Sequence, residues 1–403
     1  MLVAHLQPRN FEVAVWEFYT KAGFVQDPHE KSLWVRGLGT ADEVMVVNFC
    51  DDFVFAANSE AAHVRFDAEL TARWGNCDTA LPKYILGCDV TQTATSIRLT
   101  AKSKITEILD ELEQQGLLGK NFKPATTPFP HGTVIDIRSC PDPDKKIKLP
   151  FRSVLGKLQY VNYSCRPTIA HNISQLARVQ NNPSTEHWKL LLHILRYLKH
   201  TSNAGVEYRM QPTETRNRLV AFSDASWADI PGGMGHPAVT DGRKSTLGHV
   251  LMMNGGPITW KAHVSQIVAN SSAEAELFAT VACAKDICDS RRMLKHIGEP
   301  QEPTYTTLWC DSSSVVSINS KRNTSSKLRH IEIKWFYCRY LAEQGIIATK
   351  KIDGDENCSD LFTKALGITK FRKFALVLEQ GQDSSWLRQV ASFATSCLYS
   401  SRW

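Results

Sequence analysis

From Leu219 onward the chain changes from helical spacing to alternation of apolar and polar positions. Leu219 to Asp224, Thr246 to Met252 and Ile258 to Lys261 read as three antiparallel strands, with Asn254-Gly255 supplying the positive φ that the second hairpin needs. A helix opens at Ser271, its apolar stripe running through Ala273, Leu277, Val281, Ala284 and Cys288. Thr307 to Asp311 is an apolar run that passes into a helix at Ser312-Ser-Ser, Ile346 to Lys350 is a short strand, and Asn357 to Leu366 opens a last helix. Upstream, Phe11 to Gly23 has helical spacing with a terminal glycine, and Ser32 to Arg36 and Glu43 to Phe49 read as strands. Two acids, Asp51 and Asp52, interrupt the apolar run from Phe49 to Ala57. Asp is disfavoured in strands and costly to bury, so a hairpin turn is predicted there.

The middle of the chain is helical. Leu99 to Leu112 is amphipathic, with Ile105, Ile108, Leu109 and Leu112 on one face. Residues 129–148 are rich in Pro, Asp and Lys without a hydrophobic period, which predicts a surface connection. Phe151 to Tyr160, Cys165 to Ala170 and His187 to Lys199 form a helical region whose aromatics Tyr160, Trp188 and Tyr197 are read as core. Residues 229–243 are a glycine-rich surface excursion, and residues 371–403 a short closing helix with a loose tail.

With 403 residues, more than one core is expected. The 43% hydrophobic and 22% charged fractions are those of a globular protein, and no apolar run reaches the roughly 18 residues that span a bilayer. No membrane association is expected, and the start of the chain lacks the charged and apolar regions of a secretory signal. Eleven cysteines occur singly, without metal spacing, as in a reduced intracellular protein. The net charge of +6 is unevenly placed: residues 145–220 hold thirteen Lys and Arg against three acids. Such a segment suits a phosphate backbone, or alternatively a solvated helical surface, and Arg178, Arg196 and Lys199 are the candidates for touching phosphate.

Four acids stand on four separate elements: Asp224, Glu276, Asp311 and Asp360. Carboxylate oxygens are the hard ligands that Mg²⁺ prefers, and two ions roughly 3.5–4 Å apart can serve phosphodiester hydrolysis, so the pattern is that of a two-metal nuclease. Three of these acids have an ordinary alternative. Glu276 can be an exposed helical residue, Asp311 a helix N-cap and Asp360 a charge facing a helix dipole. Glu274 is set aside because Ser271 and Glu274 form a capping box in which the carboxylate returns to the Ser271 N–H.

Several stretches resemble the carboxyl-terminal part of copia-type LTR retrotransposon Pol polyproteins. Phe49-Cys-Asp-Asp52 is similar to the reverse-transcriptase signature in which paired aspartates, here Asp51 and Asp52, bind catalytic Mg²⁺; Lys83 to Val90 and Lys123 to Pro128 are similar to the segments that follow it. Ser223-Asp-Ala-Ser-Trp, Arg243-Lys-Ser-Thr-Leu-Gly, Asn254 to Trp260, Ser271 to Glu276, Lys327 to Ile333 and Asp360-Leu-Phe-Thr-Lys364 resemble, in order, the ribonuclease H part. The resemblance implies an α/β multi-domain chain: a partial reverse-transcriptase palm over 1–98, a basic helical thumb and connection over 99–215, a ribonuclease H-like mixed five-stranded sheet with flanking helices over 216–370, and a tail over 371–403. It implies Mg²⁺, two ions with Mn²⁺ as a possible substitute, on Asp224, Glu276, Asp311 and Asp360, with Asp224 and Asp311 flanking the ions, Glu276 orienting water and Asp360 completing the shell. His330 is read as structural. RNA–DNA hybrid and template-primer would be the nucleic-acid partners, and a missing amino-terminal polymerase portion a protein partner, in a cytoplasmic particle or the nucleus. The family's third polymerase aspartate has no counterpart, since Asp27 and Asp42 lack its context, and Phe49 and Cys50 replace the usual Tyr and Val. No DNA synthesis by this chain alone is therefore expected. The alternative is a retroelement relic that binds nucleic acid without turnover.

Overall fold

The structure, a computed structural model, describes residues 8–49, 52–75, 80–119, 122–137, 140, 147–230, 243–320 and 332–380. It divides into two compact units, Met1–Ile85 with Cys288–Glu302, and Leu86–Ile287 with Pro303–Trp403. Asp51 and His330, and with it most of the Lys327 to Ile333 motif, lie outside the described residues.

In the first unit, helix α1 (Pro8–Lys21) precedes an antiparallel sheet of β1 (Val25–Gln26), β2 (Leu33–Arg36), β3 (Val44–Phe49) and β4 (Asp52–Ala57), in that order. Tyr19, Phe24, Trp34, Val44, Val46 and Phe66 fill its core. The β3–β4 ladder runs to Phe49 opposite Asp52, which leaves Asp52 exposed at the turn end of the hairpin. Helix α2 (Glu60–Trp74), which the alternation does not single out, is capped by Ser59, whose side chain accepts the Ala62 N–H at 3.1 Å. The first stretch of this unit closes on β5 (Tyr84–Ile85).

The second unit begins with a turn that explains the Leu-Gly pair. Leu86 and Gly87 have φ of 46° and 73°, and the Tyr160 hydroxyl donates to the Leu86 carbonyl at 2.6 Å. A Cβ on Gly87 would stand 2.6 Å from the Tyr160 ring, so only glycine admits that close approach. Tyr160 is thus a half-exposed strut, whereas Trp188 and Tyr197 are buried as expected. Strands β6 (Cys88–Gln92), β7 (Ser96–Thr100) and β8 (Gly205–Arg209) pair antiparallel. Helix α3 (Lys102–Gln114) buries the four residues its spacing predicts. Helices α4 (Phe151–Cys165), α5 (Ala170–Ala177) and α6 (Thr185–His200) pack with it. The stretch read as a surface connection differs from expectation at Phe129 and Ile135, which are buried in this core as anchors without periodicity.

Strands β9 (Val220–Ser226), β10 (Thr246–Met253), β11 (Gly256–Val264), β12 (Thr306–Cys310) and β13 (Ile347–Lys351) form one sheet in the order β11-β10-β9-β12-β13. The first three are antiparallel, whereas β12 pairs parallel with both β9 and β13. Asn254 and Gly255 take φ of 53° and 81°, the conformation of the predicted hairpin turn. Helix α7 (Ser272–His296) follows β11, α8 (Ser313–Ser320) and α9 (Glu332–Glu343) join β12 to β13, and α10 (Ile368–Gln380) closes the described chain. This is the ribonuclease H-like mixed five-stranded sheet with flanking helices that the resemblance implies. One face of it, with Phe222, Val250, Met252 and Trp260, shares a continuous core with α3 to α6 and α10. No helix among the described residues is long and apolar enough to cross a membrane.

Candidate active site

Asp224 sits near the end of β9 and is 1% exposed. Successive side chains of a strand alternate between faces. Ser223 and Ala225 meet α7, through Thr280 at 3.3 Å and through Ala275 and Ala279, while Phe222 lies in the core on the other side. Asp224 therefore belongs to the face opposite α7, and Glu276 on α7 has to reach it around the end of the sheet. The ladder between β9 and β12 ends with Ser223 opposite Cys310, so the Ala225 N–H next along has no strand to bond. The Glu276 carboxylate takes that N–H. Asp311, half-buried, follows β12 directly, and Lys351 donates to its backbone oxygen. Ligand atoms of Glu276, Cys310 and Asp311 lie within 4.8 Å of one another. These are the carboxyl ends of two parallel strands, where sites form in open α/β sheets.

Asp360 arrives by a different device from the one expected. It stands in a 3₁₀ turn, Cys358–Phe362, and not in the first turn of an α-helix; α10 begins only at Ile368. Asn357 caps this turn and ties it to β9, donating to the Ser223 carbonyl at 3.0 Å beside Asp224. Thr363 closes it from the other end, its hydroxyl donating to Asp224 Oδ2. The turn can lie this close because residue 248, opposite Asp224 on β10, is glycine. A Cβ there would come 2.7 Å from Phe362 Cβ and 2.8 Å from Thr363 Cγ2. Gly248→Ala is expected to push the turn outward, at about 1–3 kcal/mol in stability, and to lower any activity of the site about a hundredfold through misplacement. Melting curves beside turnover measurements check this; activity retained within twofold would mean the turn's closeness is unimportant.

Burial pushes Glu276 up to about 9, helped by Asp224 and Asp311 and opposed by the Ala225 N–H and Lys364. Burial likewise pushes Asp224 up to about 7, with Lys364 opposing and Asp360, which shares a hydrogen bond with it, adding to the rise. Asp360, 4% exposed, is also penalised by burial, but Lys364 and Lys370 outweigh that and hold its carboxyl below the usual range. Asp311, Glu276, Asp224 and Asp360 thus form one electrostatically linked series. The hard oxygen donors of Glu276 and Asp311, within 4.8 Å of each other, fit a divalent ion such as Mg²⁺, whereas Cys310, whose thiol lies 3.9 Å from Glu276 and is pushed up by burial, is a soft neighbour.

The other predicted residues lie elsewhere. Asp52 is in the first unit. Arg178 donates to the Ile135 carbonyl at 3.2 Å and to Gln175 Oε1 at 2.9 Å, while Arg196 and Lys199 lie over the Phe122 ring at 5.5 and 5.6 Å. Glu274 performs the expected capping one residue early: its carboxylate accepts the Asn270 N–H at 2.6 Å, and Ser271 Oγ accepts the Glu274 N–H at 3.2 Å. Asn357, Thr363, Lys364 and Gly248 carry no local signal of a role, although all four lie within the stretches Arg243 to Gly248 and Asn357 to Leu366.

No family model matches the chain. It is 24% identical over 370 residues, 90% of its length and 26% of the relative's, to the retrovirus-related Pol polyprotein from transposon TNT 1-94 of Nicotiana tabacum. It is 26% identical over 372 residues, 91% of its length and 24% of the relative's, to that from transposon RE1 of Arabidopsis thaliana. The chain therefore spans about a quarter of the length of these curated relatives. Among solved structures, LC11-RNase H1 in complex with an RNA/DNA hybrid aligns with 36% of this chain and 94% of that one, at 14% identity and a TM-score of 0.25.

Proposed function

The chain belongs to the family of copia-type retrotransposon Pol polyproteins, and on that premise we propose that it hydrolyses the RNA strand of RNA–DNA hybrids. Two pairs of acids support the proposal: Glu276 and Asp311, whose ligand atoms lie within 4.8 Å of each other, and Asp224 and Asp360, which share the Lys364 ammonium, with Asp224 and Asp311 both acting on the Glu276 carboxyl. Those four would hold Mg²⁺, with Mn²⁺ as a substitute; bound there, the ions would supply positive charge against the phosphodiester being cut. The chain's own residues would do the rest. Thr363 and Asn357 hold Asp224 and Asp360 in register, and Glu276, at the rim between the two strand ends, would orient the attacking water. Arg196 and Lys199 would meet phosphates, so recognition would follow groove shape, phosphates and 2′-hydroxyls more than sequence. The remaining polymerase portion of a Pol polyprotein would be the protein partner and template-primer a second nucleic-acid partner. With Asp51 and Asp52 unaided, no DNA synthesis by this chain alone is proposed.

The purified chain is expected to cut labelled RNA in a hybrid with Mg²⁺, to stop in EDTA, and to leave the corresponding DNA duplex intact. Binding of hybrid without cleavage in either Mg²⁺ or Mn²⁺ would select the relic instead. One observation favours that competitor: both oxygens of Asp360 are held by lysines.

A further inference from the structure

Those lysines differ in what else they hold. Lys364 Nζ lies 2.7 Å from Asp360 Oδ1 and 3.5 Å from Asp224 Oδ2. Lys370 Nζ lies 2.6 Å from Asp360 Oδ2, but it also donates to the Gly354 carbonyl at 2.9 Å and to Asp355 at 3.2 Å. Lys370 is thus seated by groups outside the carboxylate series. Lys364 is bound in place by the two acids it bridges.

We propose that Lys364 is a displaceable internal cation that bridges Asp224 and Asp360 in the metal-free protein, must leave before a divalent ion is ligated there, and so sets the affinity of the site for metal. The inference rests on the metal-site reading above. Two buried carboxylates that both lie against one ammonium, at 3.5 and 2.7 Å, need that counter-charge or a proton. Lys364 is four residues beyond Asp360 on the same turn, so it supplies that charge locally. Its side chain is 43% exposed, and a lysine head on a four-carbon stem can swing into water without disturbing the turn. An incoming divalent ion competes with this ammonium for the same oxygens. Asp224 remains fixed during the exchange, because Thr363 continues to donate to it.

Removing the ammonium while keeping the stem should therefore strengthen metal binding and weaken the metal-free protein. The test is calorimetric titration of MgCl₂ and MnCl₂, without nucleic acid, into metal-free wild type, Lys364→Met and Asp224→Asn, alongside melting temperatures in EDTA. Lys364→Met is expected to bind metal about tenfold more tightly, to melt lower in EDTA, and to gain more from saturating Mg²⁺ than wild type does. Lys364→Gln replaces it if the Met variant does not fold. Equal or weaker binding by the Lys364 variant, with binding lost in Asp224→Asn, overturns the inference and leaves the metal site standing. Unchanged binding in Asp224→Asn removes the metal site itself, and the inference with it.

Discussion

Glu276→Gln is expected to abolish hybrid cleavage and at the same time to make the metal-free protein more stable above neutral pH. On the proposed function, the loss follows from removing one of the four proposed ligands and the group proposed to orient water. If the ions contribute several kcal/mol, the fall should be about a thousandfold or more. The gain follows from burial. Glu276 is 9% exposed and its carboxyl is pushed from an ordinary 4.5 up to about 9 by burial, Asp224 and Asp311. Between those values the folded chain keeps a proton that the unfolded chain has released, so the native state binds more protons and stability falls as pH rises. The slope from this group alone is up to about 1.4 kcal/mol per pH unit. Below about pH 4.5 both states are protonated and the group contributes no slope. Glutamine keeps the shape and can still accept the Ala225 N–H without ever ionising. Melting in EDTA at pH 5 and pH 8.5 should thus show a variant that matches wild type at the lower pH and exceeds it by several degrees at the higher. Because a divalent ion requires these carboxylates unprotonated, Mg²⁺ should also bind wild type more tightly as pH rises, releasing protons. Retained cleavage, or a pH slope identical in the two proteins, would remove Glu276 from the site.

Much of this site was visible in the sequence, because it is carried by local signals. Alternation marks β9 and β10, Asn254-Gly255 marks their continuation into β11, Asp224 and Asp311 stand where an apolar run stops, and Glu276 borders the apolar stripe of its helix. What opposes and holds the acids was not visible. Asn357 bonds Ser223 across 134 residues of chain and Thr363 bonds Asp224 across 139, distances over which no periodicity speaks. Gly248 reads as an ordinary small residue in a strand until the turn above it is placed. Lys364 and Lys370 are cations in a polar stretch by composition, but in the fold their heads meet on one carboxylate. Charge counting had a similar limit in residues 145–220. Among its thirteen cations, Arg178 is turned onto Ile135 and Gln175, and Arg166 is entirely buried. A sum over the sequence does not distinguish these from surface charge.

Arg166→Met is expected to destabilise the second unit by about 3–5 kcal/mol, whereas the double change Arg166→Met with Glu379→Leu should recover most of that loss. Arg166 follows α4 at the point where the chain enters a 3₁₀ turn, and Glu379 lies near the end of α10. Arg166 Nε is 3.1 Å from Glu379 Oε2, with the two side chains 0% and 1% exposed. The guanidinium also donates to the Thr201 carbonyl at 3.0 Å and to Thr201 Oγ1 at 2.7 Å, and lies over the Tyr197 ring. Glu379 Oε1 accepts the Thr168 N–H at 3.1 Å and the Thr168 hydroxyl. Deleting one partner strands the other's charge in a dry core, which costs more than the pair contributes. Deleting both leaves apolar groups of similar volume beside Phe371, Phe374 and Leu378, at the smaller cost of unpaired Thr168 and Thr201 groups. The site is involved because α10 carries Lys370, one of the two cations on Asp360, at its other end. Urea midpoints of the two single variants and the double, with cleavage measured where each remains folded, decide it. A double variant as unstable as Arg166→Met would mean that the ion pair itself holds α10 in place, and loss of cleavage in a fully folded double variant would mean that it also sets the position of Lys370.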